Sequence, residues 1–280
     1  MRIKVTSDST CDLPKELLER YQITLIPLSV IKNDEAFKDG VTITPQDIFD
    51  HVAAGGALCS TSAVSVGEYI DQFGIYSPDY DAVIHINLGS GFSACYQNAC
   101  LAAQDFENVY VVDSQNLCNG QGLVALKACT LAEDGASVPE ILKELEAFVT
   151  RVEISFLVEK LDYLVKGGRC SAAAALGANL LNLKPCIEVR NNKMIVAKKY
   201  RGSFDKCLTA FAKERLLGRD DLENEIMFLP RTEDCSAVSQ TIMSFAQENC
   251  HFHQMYYALA GCTISCHCGP GALGLALVKK

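Results

Sequence analysis

The chain has 280 residues, of which 49% are hydrophobic, and its formal net charge is −9. This length suits two domains or one large domain, and the composition is that of a globular protein rather than a disordered one. The negative charge argues against nonspecific nucleic-acid binding, and no apolar run in the sequence is long enough to cross a bilayer.

The start of the chain and its cysteines indicate the compartment. The first ten residues, MRIKVTSDST, lack the apolar core of a signal peptide. Without a secretion signal, the fourteen cysteines are expected to be reduced thiols. The sequence therefore predicts a cytoplasmic protein.

The first 150 residues predict strands that alternate with helices. Strands are predicted at residues 3–5, 23–31, 82–88 and 109–112, with a turn or hairpin at 32–40. Helices are predicted to begin near residues 12, 44, 65, 92, 120 and 137, with capping boxes at Ser65 and Ser137. This alternation predicts a mostly parallel, doubly wound sheet.

The second half of the chain has a different pattern. Strands are predicted at residues 152–158, 185–190, 194–200, 226–229, 255–259 and 272–277, and helices at 161–165, 172–181, 204–217 and 235–249. Asn191-Asn192 predicts the turn of an antiparallel hairpin. The fold class is therefore α/β with two domains. Residues 1–155 are expected to form the doubly wound domain, and residues 156–280 an α+β domain with a mixed sheet.

A glycine loop follows the apolar strand predicted at residues 82–88. Gly89-Ser90-Gly91 ends the strand, and a helical pattern starts at Phe92. Such a loop lies at the carboxyl edge of a parallel sheet, where α/β proteins bind ligands, and free N–H groups at a helix start suit an anion. Ser90 and Ser93 add hydroxyls there. The alternative is that one serine is only a helix cap.

Four polar loops are expected to line one cleft: residues 6–10, 60–62, 89–93 and 113–114. They are rich in hydroxyl groups and poor in charge. That composition suits a carboxylate or phosphate oxygen better than a metal ion, which prefers His, Cys or carboxylate ligands.

A late loop over residues 262–271 holds three cysteines and His267. These residue types suggest zinc, but Cys266, His267 and Cys268 are consecutive, and neighbours in an extended chain point to opposite faces. We therefore expect no metal site. The simplest alternative is a tight turn with a solvent-exposed histidine.

Two enzyme-like alternatives also use the glycine loop. Residues 91–95, GFSAC, nearly match the hydrolase elbow G-x-S-x-G, with Asp113 and His267 as partners for Ser93. The final glycine is missing, and the serine lies five residues past Leu88 rather than on a sharp turn. A serine hydrolase is therefore the second hypothesis. A nucleotide-binding module is the third, although neither glycine-rich nucleotide fingerprint is present.

The ordered set of motifs resembles the DegV family of bacterial fatty-acid-binding proteins. The matching pieces are VTSDSTCDLP at 5–14, FKDGVTIT at 37–44, STSAVS at 60–65, GSGFSACYQNA at 89–99, VVDS at 111–114, LDYLVKGGR at 161–169 and HCGPGALGLAL at 267–277. The resemblance implies two α/β domains, a bound long-chain fatty acid and a carrier role. A separate fatty acid kinase subunit would phosphorylate the bound carboxyl group.

The resemblance also implies roles for individual residues. Ser93, Thr61 and His267 match positions that hold the carboxylate, and Arg169 and Arg201 match basic positions on the kinase-facing side. Further ligand contacts are expected from three neighbouring residues: Ser62, Gly91 and Phe92. No cofactor, catalytic residue or nucleic-acid partner is implied, and contact with a membrane is expected only at its surface, during ligand exchange.

Overall fold

The computed structural model describes residues 1–174, 183–233 and 237–280, which form three β-sheets and the helices around them. The strands are β1 (Ile3–Asp8), β2 (Thr24–Ile26), β3 (Ser29–Lys32), β4 (Glu35–Lys38), β5 (Ser60–Ser62), β6 (Ala82–Asn87), β7 (Val109–Asp113), β8 (Val152–Leu157), β9 (Leu183–Arg190), β10 (Lys193–Arg201), β11 (Ile226–Arg231), β12 (Gln254–Leu259) and β13 (Leu273–Val278).

The α-helices in the described part of the chain are α1 (Lys15–Arg20), α2 (Pro45–Ala53), α3 (Val66–Tyr76), α4 (Cys95–Ala103), α5 (Cys118–Glu133), α6 (Val138–Phe148), α7 (Asp162–Gly167), α8 (Ser171–Ala174), α9 (Phe204–Leu216), α10 (Ala237–Asn249) and α11 (Cys262–Cys268). Most of the helix predicted at 172–181 lies outside the described residues. Both predicted capping boxes are confirmed: Ser65 pairs with Glu68, and Ser137 with Glu140. No helix in the described ranges is long and apolar enough to span a membrane.

The predicted fold class is confirmed by the sheets. Four strands form a parallel sheet in the order β2-β1-β6-β7, and six form a mixed sheet in the order β10-β9-β8-β13-β11-β12. In the mixed sheet β11 and β12 run parallel, and the other neighbours are antiparallel. A small antiparallel sheet, β4-β3-β5, comes from the hairpin predicted at 32–40 and a strand that was not predicted.

Helix α5 joins the two large sheets. It contacts β1 and β6 of the parallel sheet and β8, β11 and β13 of the mixed sheet. Because both sides of the helix are covered, even its polar residues Asn119 and Gln121 are fully buried. The predicted division between residues 155 and 156 falls inside β8, all of whose residues pair in the mixed sheet. A division before Val152 would keep this sheet whole, and the boundary stays a prediction.

Several local predictions were wrong. The strand predicted at 23–31 is two strands in different sheets, β2 and β3, separated at Pro27, which has no N–H for a ladder. The loop predicted at 60–62 is strand β5. The first part of the loop predicted at 262–271 is helix α11, because carboxylates from distant parts of the chain cap its first turn.

Candidate functional site

A small, mostly apolar cavity lies where β5, the glycine loop after β6, and helix α11 meet. Its volume is about 50 Å³. Thr61 comes from β5, Phe92 and Ser93 from the glycine loop, and His267 from α11. Arg169, after α7, reaches the same cavity. Two of the four predicted polar segments, 60–62 and 89–93, therefore converge as expected.

The key contact in this site joins Thr61 to His267. The Oγ1 atom of Thr61 lies 2.8 Å from Nε2 of His267. Burial, together with the neighbouring Arg169 guanidinium, lowers the pKa of His267 from 6.5 to about 4. The imidazole is therefore neutral near pH 7 and carries one N–H.

The position of that proton follows from the other ring nitrogen. The Nδ1 atom of His267 is buried and has no hydrogen-bond partner among the described residues. A buried N–H without an acceptor is costly, so the proton belongs on Nε2, which then donates to Thr61. The hydroxyl hydrogen of Thr61 is left to donate to a ligand in the cavity.

Gly167 leaves the space that the imidazole of His267 occupies. A Cβ atom at Gly167 would overlap Nδ1 of His267, so the last turn of α7 approaches the imidazole only because residue 167 has no side chain. Arg169 follows two residues later, and its Nη1 atom donates to the carbonyl of Gly167 at 2.8 Å.

Ser93 lies just before helix α4 and faces the cavity. Its Oγ accepts the N–H of Cys95, the first residue of α4, at 3.2 Å, although the N-cap residue of the helix is Ala94 and not a serine as the alternative predicted. The hydroxyl donates to the Sγ of Cys95, also at 3.2 Å. Sulfur is a weak acceptor, so a carboxylate in the cavity would compete for this donor.

The remaining predicted site residues divide into two groups. Ser62 and Phe92 line the cavity with the residues above. Gly91 is exposed, does not line the cavity, and donates its N–H to the side chain of Asn192. Arg201 is exposed at the end of β10 and does not line the cavity either.

The polar segments 6–10 and 113–114 do not line the cavity. Thr6, Ser7 and Asp8 belong to β1 and are fully buried, and Tyr69 donates to Asp8 at 2.6 Å. Asp113 accepts the hydroxyl of Ser90 at 2.6 Å. These polar groups have hydrogen-bond partners inside the protein, so they support the parallel sheet and its loops and do not contribute to the cavity.

The triad required by the hydrolase hypothesis is not assembled. Nε2 of His267 bonds Thr61, Asp113 bonds Ser90, and the hydroxyl of Ser93 points to Cys95. The three groups therefore do not form a hydrogen-bonded relay.

The three late cysteines do not share a face of α11. Cys262 and Cys266 pack toward α2 and β3, whereas Cys268 belongs to another apolar cluster with Leu164 and Cys170. Within the described ranges no group of three or more metal-ligating side chains comes together.

Sequence reasoning missed the two carboxylates that hold α11. Asp39 accepts the N–H of Cys262 at 2.7 Å and that of Thr263 at 3.1 Å, and Asp12 accepts the N–H of Gly261 at 2.8 Å. Burial raises the pKa of Asp12 well above its usual value. The Asp-Gly pair at residues 39–40 was the only local pattern that pointed to Asp39, and such a pair predicts a turn rather than a helix-capping carboxylate.

A second apolar cavity adjoins the first. Its volume is about 30 Å³, and it shares Leu117, Ile264 and Cys268 with the first cavity. It continues to Phe156 on β8 and Leu273 on β13. Apolar lining residues, here called the apolar path, therefore extend from the polar group of Thr61, Ser93 and His267 toward the mixed sheet.

Comparison with known proteins identifies the family. Residues 2–280 match the family described as "Uncharacterised protein, DegV family". The chain belongs to the DegV family. It is 33% identical to Protein DegV of Bacillus subtilis over 288 residues, with both chains fully covered.

Solved structures agree with this assignment. The fatty-acid-binding DegV family protein of Thermus thermophilus is 30% identical and superposes with a TM-score of 0.90 over the whole of both chains. A stearic-acid-binding protein from Eubacterium ventriosum is 26% identical, with a TM-score of 0.84 over 99% of this chain and 98% of that one. The DegV fold is thus established for this protein.

Proposed function

We propose that this DegV protein binds a long-chain fatty acid, with the carboxylate held by Ser93, Thr61 and His267 and the chain in the adjoining apolar cavities. The observation that carries the proposal is the Thr61–His267 pair beside Ser93 at the polar end of an apolar path. Relatives of the same fold that bind fatty acids support it.

The donors suit a carboxylate. Thr61 and Ser93 each offer a hydroxyl hydrogen, and the neutral His267 holds Thr61 in the donating orientation. Hydrogen bonds to an ionised acceptor are stronger than those between neutral groups. Each methylene buried contributes roughly 0.8 kcal/mol, so a chain of about fifteen contributes on the order of 12 kcal/mol before association costs.

The cavities must widen to hold such a ligand. Their volumes, about 50 and 30 Å³, hold a few water molecules each, whereas ligand pockets usually measure roughly 300 Å³ or more. The walls around Met194, Phe92 and Ile264 therefore separate when an acyl chain enters.

We further propose that the protein is a carrier rather than an enzyme by itself. In this role it presents the carboxyl group to a separate kinase subunit for phosphorylation. The guanidinium of Arg169 lies at the cavity beside His267, where a planar fork suits an incoming phosphoryl group. Arg201 is exposed away from the cavity and suits an acidic partner surface.

The test of binding is extraction and reloading. Protein purified from a bacterial host is expected to carry a long-chain fatty acid that mass spectrometry detects after extraction. Delipidated protein is expected to rebind oleic acid, and calorimetry with ATP alone is expected to show no heat of binding. A protein that arrives empty and stays empty with added oleic acid refutes the proposal.

A second test distinguishes residues that bind the fatty acid from residues that are needed for its phosphorylation by the kinase. Arg201→Ala is expected to retain fatty acid as the wild type does, and to lose most acyl-phosphate formation with a fatty acid kinase. Lys199→Ala is the matched control, since Lys199 is an exposed cation two residues earlier on the same strand. Loss of ligand in Arg201→Ala, or equal turnover in both variants, contradicts this role.

A further inference from the structure

The hairpin turn between β9 and β10 is fastened to the glycine loop by one side chain. Oδ1 of Asn192 accepts the N–H of Gly91 at 3.1 Å. Its Nδ2 atom donates to Oγ of Ser90 at 2.7 Å and to Oδ2 of Asp113 at 3.2 Å. Two of these hydrogen bonds connect the turn at residues 191–192 with the glycine loop, 101 and 102 residues earlier, and the third connects it with Asp113 at the end of β7.

The backbones on either side are shaped for this contact. A Cβ atom at Gly91 would overlap the carbonyl oxygen of Asn192, so the loop and the turn lie directly against each other. Asn192 has a φ of 60°, in the left-handed region that asparagine tolerates better than most residues. The close approach therefore requires glycine at position 91, and the left-handed backbone at position 192 favours asparagine or glycine.

The two fastened segments wall the same cavity. Phe92 and Ser93 follow Gly91 on the loop, and Met194 follows Asn192 on β10, and all three side chains line the cavity. Because that cavity is too small for an acyl chain, its walls have to part for the ligand to enter or leave. Ser90 and Gly91 are exposed, so these hydrogen bonds lie at the surface, where they can open without unfolding the core.

We propose that Asn192 is a positioning residue that latches the glycine loop to the β9–β10 turn and so sets the rate of fatty-acid exchange. The inference rests on the proposed function. Asn192 does not line the cavity and makes no hydrogen bond to Thr61, Ser93 or His267, so the hydrogen bonds of the latch are separate from those that hold the carboxylate. Its loss therefore speeds both entry and exit and leaves the equilibrium affinity little changed.

The experiment measures exchange of radiolabelled oleic acid between the loaded protein and phosphatidylcholine vesicles. Asn192→Gly is the test variant, because glycine keeps the left-handed conformation and removes only the three hydrogen bonds. Asn191→Gly is the matched control: Asn191 lies in the same turn with a φ of 49°, and its side chain makes no hydrogen bond to the described residues. Asn192→Asp adds a second test, since it places a carboxylate against Asp113.

We expect Asn192→Gly to release and take up oleic acid about tenfold faster than Asn191→Gly, which is the effect of ~1.4 kcal/mol. Asn192→Asp is expected to be at least as fast, with affinities within about threefold of the wild type. Equal rates in the two glycine variants overturn the latch, as does weaker affinity without faster entry. If the wild type itself never holds oleic acid, the proposed function fails together with the latch.

Discussion

Thr61 and His267 lie 206 residues apart in the chain and share a hydrogen bond of 2.8 Å at the polar end of the apolar cavity. The contact joins strand β5 of the small sheet to helix α11, just before the last strand of the mixed sheet. The geometry of a ligand group bound there therefore depends on how β5 and α11, from the two halves of the chain, are positioned relative to each other.

Removing the hydroxyl of Thr61 is predicted to cost both stability and ligand. Thr61→Val keeps the shape but leaves the Nε2–H of His267 without an acceptor, which destabilises the fold by about 1–3 kcal/mol. Urea denaturation and oleic acid binding measure the two effects. Thr61→Ser is expected to restore both. Ser60→Ala is the control, because Ser60 is exposed and points to the other face of β5.

The lowered pKa of His267 predicts a pH dependence of stability. Above pH 6.5 the imidazole is neutral in the folded and unfolded chain alike. Between pH 6.5 and about 4 only the unfolded chain takes up the proton, so the free energy of unfolding falls as the pH is lowered. Below about pH 4 both states are protonated, and the loss levels off.

The measurement is the difference in the free energy of unfolding between the wild type and His267→Gln. Urea denaturation gives this difference over about four pH units, from roughly pH 7.5 to 3.5, which span both pKa values. Taking the difference removes the titration of carboxylates common to both proteins. The wild type should lose more stability than His267→Gln between pH 6.5 and 4. Parallel curves would show that the pKa of His267 is the same in the folded and the unfolded chain, which contradicts its lowering by burial.

Gly167→Ala is predicted to displace the imidazole, because the added methyl group would overlap Nδ1 of His267. We expect a loss of oleic acid binding similar to that of His267→Ala. Gly67→Ala is the control: it adds the same methyl group in helix α3, where nothing lies within 4 Å of the new atom. Normal binding by Gly167→Ala would mean that His267 does not hold the ligand network.

Asp39→Asn is predicted to loosen helix α11. The amide replaces one acceptor oxygen with a donor, which cannot accept the N–H of Thr263 or Cys262, so about 1–3 kcal/mol of stability is lost. Thermal denaturation and the histidine side-chain NMR signal of His267 report the change. Asp34→Asn, on the exposed turn between β3 and β4, is the control. An unshifted His267 signal would mean that Asp39 does not position it.

Local patterns predicted most of the elements of this fold. Runs rich in Val and Ile became β6 and β7, the Asn-Asn turn became the β9–β10 hairpin, and the serine capping boxes start α3 and α6. In each case the signal and the structure lie within about a dozen residues. The wrong predictions concern elements that depend on distant partners.

Strand β1 shows why distance matters. Its last residues, Thr6, Ser7 and Asp8, resemble a polar loop, yet they remain in the strand because His85 lies 2.9 Å from Thr6 and the carbonyl of Ile86 accepts from Ser7. No local sequence pattern near residue 6 predicts these partners, which lie 79 residues later in the chain. Helix α11 depends in the same way on Asp39.

The site residues likewise divide into those that local sequence patterns predict and those that depend on distant partners. Ser93 and Thr61 lie in hydroxyl-rich segments that the sequence selects, and the parallel sheet explains why a glycine loop forms there. The family resemblance and the hydrolase hypothesis placed His267 near Ser93, but neither predicted its hydrogen bond to Thr61. The roles of Gly167 and Asn192 could not be predicted from the sequence, because each depends on a close approach between segments that are remote in the chain.

The most direct test of the central claim is the carboxyl signal of oleic acid labelled with ¹³C at its carboxyl carbon, bound to the delipidated protein. We predict one bound resonance, shifted from free oleic acid, that moves in Ser93→Ala and in Thr61→Val but not in Ser60→Ala. Ser93→Ala should also bind more weakly, by about 1–3 kcal/mol. A bound resonance that is the same in all four proteins, or no bound resonance in the wild type, would contradict the account.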